Sequence, residues 1–132
     1  MSEITLPAVQ SNLEALTAFV DGILEENDCN LKSQMQIDVV IDEIFSNIVL
    51  YAYEDTGDVT VRVEISDGNA EITFIDSGRE YNPIEKDDPD ITLSAEDRPI
   101  GGLGIFIVKK TMDEVKYRYE SNQNILTVIK KI

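Results

Sequence analysis

The sequence predicts an α+β domain: a two-layer sandwich with helices on one face of a mixed, mostly antiparallel sheet. Three observations predict it. Two apolar stripes at helical spacing fill the first third of the chain. The period then switches to two on either side of a tight turn. A third helical run follows later, and two more alternating segments close the chain. At 132 residues the whole chain, 1–132, fits one domain with one core.

The elements follow in order. Glu3 to Leu6 reads as a short edge strand. Leu13, Leu16, Val20, Ile23 and Leu24 recur at helical spacing, which predicts a helix over about 8–26. Asn27, Asp28 and Asn30 favour a turn. Ile37, Val40, Ile41, Ile44, Phe45, Ile48 and Ala52 form the apolar face of a second helix, over about 31–53. Val59, Val61, Val63 and Ile65 then alternate with Thr60, Arg62 and Glu64, the mark of a half-buried strand. Asp67-Gly68 turns the chain, and Ala70, Ile72 and Phe74 return as the partner strand. From Asp76 to Pro99 the chain is polar and without period, a loop long enough to be functional. Gly101 to Met112 reads as a third helix. Val115, Tyr117 and Tyr119 form a strand, Ser121 to Asn124 a turn, and Ile125 to Lys131 the last strand.

Composition excludes several chemistries. The formal net charge is −15, so the surface repels nucleic acid backbone and anionic lipid. An anionic ligand must be held locally, by backbone N–H groups, a metal ion or a placed arginine. Histidine is absent, which removes Ser-His-Asp catalysis and histidine-ligated zinc. The one cysteine, Cys29, forms no internal disulfide. No apolar run has the length of a membrane span and the N-terminus lacks a signal pattern, so the chain is expected in the cytoplasm.

Three places break the local rules. In Asp42-Glu43-Ile44-Phe45-Ser46-Asn47, Glu43 and Asn47 lie four apart on one helical face, at the margin of the apolar stripe. A Glu there can act as a base, and an amide oxygen is a hard, neutral ligand suited to Mg²⁺. Asp76-Ser77-Gly78 directly follows a strand, which presents a carboxylate while the backbone turns. Gly101, Gly102 and Gly104 put bare backbone N–H groups at a helix start, where phosphate binds. The spacing is not that of the P-loop or the dinucleotide fingerprint.

The order and spacing of these motifs resemble those of the Bergerat-fold ATPases, the superfamily of gyrase, histidine kinases and the MutL repair ATPase. Within it the chain looks most like the small serine kinases that act as anti-sigma factors. Glu43 and Asn47 match the family's N box, Asp76 to Pro83 the first glycine box, and Gly102-Leu103-Gly104 the second. Met112-Asp113-Glu114-Val115 also looks like the family's continuation. The chain departs from the family where Leu50-Tyr51-Ala52-Tyr53 closes the N-box helix without a histidine. It departs again in the acidic lid between Ile84 and Ile100.

The resemblance implies ATP and Mg²⁺ as cofactors. Asp76 would accept from the adenine amino group, and Gly78 would let the backbone approach the base. Asn47 would ligate Mg²⁺. Gly101, Gly102, Leu103 and Gly104 would hold phosphates, and Arg98 would add charge at the γ-phosphate. Thr127 would reach the adenine pocket. Glu43 would be the general base for a serine or threonine of a small anti-anti-sigma (STAS-type) antagonist, in a partner-switching module that also holds a sigma factor. Homodimerisation is implied by likeness alone. The competing expectation, motivated by the acidic lid, is a nucleotide-binding regulatory module without significant kinase activity.

Overall fold

The computed structural model describes residues 1–85 and 102–132. The chain runs β1 (Ser2–Pro7), α1 (Leu13–Glu26), α2 (Leu31–Tyr51), β2 (Asp58–Ser66), β3 (Asn69–Asp76), α3 (Gly102–Thr111), β4 (Glu114–Glu120) and β5 (Gln123–Lys131). Short 3-10 turns occupy Gln10–Asn12 and Pro83–Glu85.

Each boundary has a local cause. Asn30 caps α2, its side chain accepting from Ser33 N–H at 2.8 Å. The two hairpin turns have positive φ at both central residues, 53° and 77° at Asp67-Gly68, and 53° and 62° at Ser121-Asn122. That geometry matches the right-handed twist of the flanking strands. The chain leaving β1 turns through Gln10–Asn12 before α1 begins at Leu13, so the first helix is shorter than its apolar spacing predicts. The second ends at Tyr51, where a later loop takes over its carbonyls.

The two-layer α+β architecture stands as predicted. The sheet order is β1-β2-β3-β5-β4, and every pairing is antiparallel, with no parallel pair of a mixed sheet among the described residues. One correction bears on function. Asn124, expected in a turn, is the second residue of β5 and lies opposite Asp76 of β3. The turn needs only Ser121 and Asn122, so the strand starts earlier than its apolar residues suggest.

The predicted stripes build the core. Leu16, Val20 and Leu24 of α1 and Ile37, Val40, Ile41, Ile44 and Phe45 of α2 are buried against Val59, Val61 and Val63 of β2 and Ala70, Ile72 and Phe74 of β3. Ile48 of α2, Leu126 and Val128 of β5, Val108 of α3 and Met112 just after it complete the core. Truncating a side chain such as Phe45 to Ala costs about 3–5 kcal/mol. That packing fixes α2 across the sheet, with its C-terminal half over the ends of β3 and β5.

Candidate functional site

A pocket opens where α2, the end of β3, the start of β5 and α3 meet. Its walls are apolar: Ile44, Ile48 and Ala52 of the α2 region, Phe74, Ile105 and Leu126. Two buried polar residues lie at its floor, Asp76 and Asn124. Asn47, Tyr51, Arg79, Tyr81, Pro83 and Tyr117 complete the lining. An apolar pocket with few convergent polar groups is the form of a small-molecule site.

The floor is tightly built. Asp76 Oδ1 accepts from Gly78 N–H at 2.9 Å and from Asn124 Nδ2 at 3.0 Å. Asp76 Oδ2 has no hydrogen-bond partner among the described residues. Nor is it among the buried orphan atoms, so it keeps access to the cavity. Burial pushes the Asp76 carboxyl above its ordinary range, and the two donors pull it partly back. One oxygen is fixed by the protein while the other is open to a donor on a ligand.

The loop after Asp76 is fastened to α2. Arg79 N–H donates to Ala52 O at 3.0 Å and Arg79 Nε to Tyr51 O at 2.9 Å. These carbonyls belong to the helix end, where intrahelical donors run out. A Cβ at Gly78 would overlap the Ala52 carbonyl group. Glycine at 78 therefore has a structural reason besides the expected approach to a base. Tyr53 adds another tie: its hydroxyl accepts from Ser77 N–H at 2.8 Å and donates to Asp58 O at 2.7 Å.

The rim is built differently. Asn47 lines the pocket mouth, and its amide makes no hydrogen bond among the described residues. Glu43, one turn earlier on α2, is likewise uncommitted. It lies against the start of α3: a Cβ at Gly104 would collide with Glu43 Oε2. The expected base, the expected metal ligand and the glycine-led helix start thus converge beside the pocket. An amide oxygen free of protein partners suits Mg²⁺, which takes one or two protein ligands and completes its shell with water and phosphate.

The sequence expectations fare unevenly in space. Glu43, Asn47, Asp76, Gly78 and Gly104 come together. α3 begins at Gly102, within the glycine-led stretch expected to start it. Arg98, Gly101 and the side chain of Leu103 lie outside the described residues. Thr127 requires a correction. Leu126 and Val128 point into the core, so Thr127 between them points to the opposite face of the sheet. There its hydroxyl meets that of Thr73 at 3.2 Å, remote from the pocket. Sequence reasoning also missed Arg79 and Asn124. Arg79 gave no signal beyond its place in the first glycine box. The signal for Asn124 was parity, because it shares its face with Leu126 and Val128.

Comparisons with known proteins find relatives along nearly the whole chain. Residues 6–130 match the family described as "Histidine kinase-like ATPase domain". The serine-protein kinase RsbW of Listeria monocytogenes is 25% identical over 134 residues, covering 93% of this chain and 82% of its own. RsbW of Bacillus mycoides is 25% identical over 129 residues, at 94% and 81%. Among solved structures, the RsbU and RsbW domains of Rv1364c from Mycobacterium tuberculosis share the fold, with a TM-score of 0.69 at 15% identity. That match covers 99% of this chain and 32% of the longer one.

Proposed function

The chain belongs to the histidine kinase-like ATPase domain family, and from that premise we propose that it is an ATP-dependent protein-serine kinase of a partner-switching module. Its substrate is the serine or threonine of a small STAS-type antagonist, and the unphosphorylated antagonist competes with a sigma factor for this protein. The relatives at 25% identity are named serine-protein kinases and are spanned over most of their length. The observation that carries the reading is the pairing of Asp76, one oxygen open to an apolar pocket, with an uncommitted Asn47 lining that pocket and an uncommitted Glu43 one turn earlier, against Gly104.

The residues divide the work. Ile44, Ile48, Phe74 and Leu126 exclude water around a purine ring. Asp76 accepts from its exocyclic amino group. Asn47 supplies an amide oxygen to Mg²⁺, which when bound neutralises phosphate charge. The start of α3 presents N–H groups to phosphate oxygens. Glu43 orients the acceptor hydroxyl and takes its proton. Positioning and charge stabilisation account for most of phosphoryl-transfer catalysis, so Glu43 acts through placement as much as basicity.

The test has two stages. Mg·ADP at about 100 times its dissociation constant should stabilise the protein by roughly 2.7 kcal/mol, a melting rise on the order of ten degrees at this size. Purified protein with Mg·ATP should then place phosphate on a serine or threonine of a STAS-domain protein from the same genome, read by mass spectrometry. Nucleotide binding without a phosphoprotein, and partner regulation indifferent to Glu43→Ala, would leave a regulatory module in place of a kinase.

A further inference from the structure

Asn124 is 6% exposed and its side chain is fully committed. Nδ2 donates to Asp76 Oδ1 at 3.0 Å and to Arg79 O at 2.8 Å. Oδ1 accepts from Tyr81 N–H at 3.0 Å and from the Tyr117 hydroxyl at 2.5 Å. The partners fix which end of the amide is which, because Arg79 O can only accept and Tyr81 N–H can only donate. Two donors and two acceptors in one short plane are what an asparagine offers. A hydroxyl has one donor and a carboxylate none. No atom of the side chain remains for a ligand, so whatever Asn124 does for binding it does through Asp76.

We infer that Asn124 is a positioning residue that sets the base selectivity of the site: it fixes the Asp76 carboxylate plane so that Oδ2 meets a 6-amino purine and disfavours a 6-keto purine. The inference rests on the nucleotide reading above. With Oδ1 saturated by Asn124 and Gly78, only one oxygen can answer a ligand, and it answers as an acceptor. An amino group at C6 donates to it. A keto oxygen at C6 faces it with like partial charge. Without the Asn124 donor the carboxylate can turn, and it takes up a proton more readily because a hydrogen bond to its charged form is gone. Either change removes the distinction.

The experiment compares ADP with IDP, which carries oxygen where ADP carries the amino group, by titration calorimetry on the full chain. The wild type should prefer ADP by about tenfold or more, the range for a hydrogen bond to a charged group. Asn124→Leu should bring the two affinities within about threefold of one another. It should also move the acid loss of ADP affinity to higher pH. Asn124→Asp keeps the shape but gives Asp76 no donor, and should lose the same selectivity if the Leu variant does not fold. Folded variants that weaken ADP and IDP equally, with an unmoved pH profile, would overturn the inference and leave Asn124 a structural residue. A wild type that binds neither nucleotide overturns it together with the reading on which it rests.

Discussion

The floor and the rim of the pocket are built on opposite plans. At the floor, Asn124 has every hydrogen-bonding atom taken and Asp76 Oδ1 receives two donors. At the rim, Glu43 and Asn47 hold nothing among the described residues. A saturated floor reads one feature of a ligand with fixed geometry. An uncommitted rim can change partners between metal, phosphate and an acceptor hydroxyl. On the proposed function, recognition and chemistry are separated along one helix, since the residue after α2, Ala52, lines the pocket beside the floor and α2 itself supplies Glu43 and Asn47.

The sharpest test of that separation is Glu43→Gln. Phosphoryl transfer to the antagonist should fall by about 10²- to 10⁴-fold, as for loss of a general base. ADP affinity and melting temperature should stay near wild type; a large drop in either would tie the rim to the floor. Gly78→Ala acts in the other direction. Its Cβ meets the Ala52 carbonyl, so denaturant melts should show a loss of roughly 1–3 kcal/mol. Nucleotide binding should weaken with it, because the Asp76 loop must move. Asn47→Ala should leave magnesium-free ADP binding intact but abolish the increment that Mg²⁺ adds, measured by calorimetry with and without chelator.

A control away from both regions sharpens the contrast. Asp38 of α2 has its carboxyl pushed up to about 7, first by burial and then by the facing Asp21 of α1, with Glu25 of α1 adding to it. Cys29, in the intervening turn, also lies in the field of both aspartates. The folded state holds a proton there that the unfolded chain, with an ordinary carboxyl, has released. Stability should therefore fall as pH rises from about 4 to about 7 and level off above. Asp38→Asn should flatten that slope without changing base selectivity. The smallest effect expected is that of Thr127→Val. On the far face of the sheet, it should shift stability within about 0.5 kcal/mol and leave ADP affinity unchanged.

The Thr127 correction shows what the sequence carried and what it did not. Helix and strand types were legible because apolar periodicity is a one-dimensional signal: the stripe from Ile37 to Ile48 and the alternation from Val59 to Ile65 are the core itself. Glu43, Asn47, Asp76, Gly78 and Gly104 were legible because each breaks that periodicity in a recognisable order. Asn124 was not, since a polar residue beside Ser121 and Asn122 reads as more turn. Once β5 starts at Gln123, parity with Leu126 and Val128 turns it inward, and the register of β5 against β3 sets it opposite Asp76. Thr127 was misplaced by the resemblance, although the burial of its neighbours decides its face. Arg79 was invisible because its partners are backbone carbonyls at the end of α2, a contact between distant parts of the chain that no local pattern records.

That fastening has a mechanical consequence. With Arg79 gripping Tyr51 and Ala52, and Tyr53 bridging Ser77 to Asp58, the loop after Asp76 and the end of α2 are cogs on one shaft. A displacement of Tyr51 or Ala52 therefore carries the loop after Asp76 with it, because their carbonyls hold Arg79.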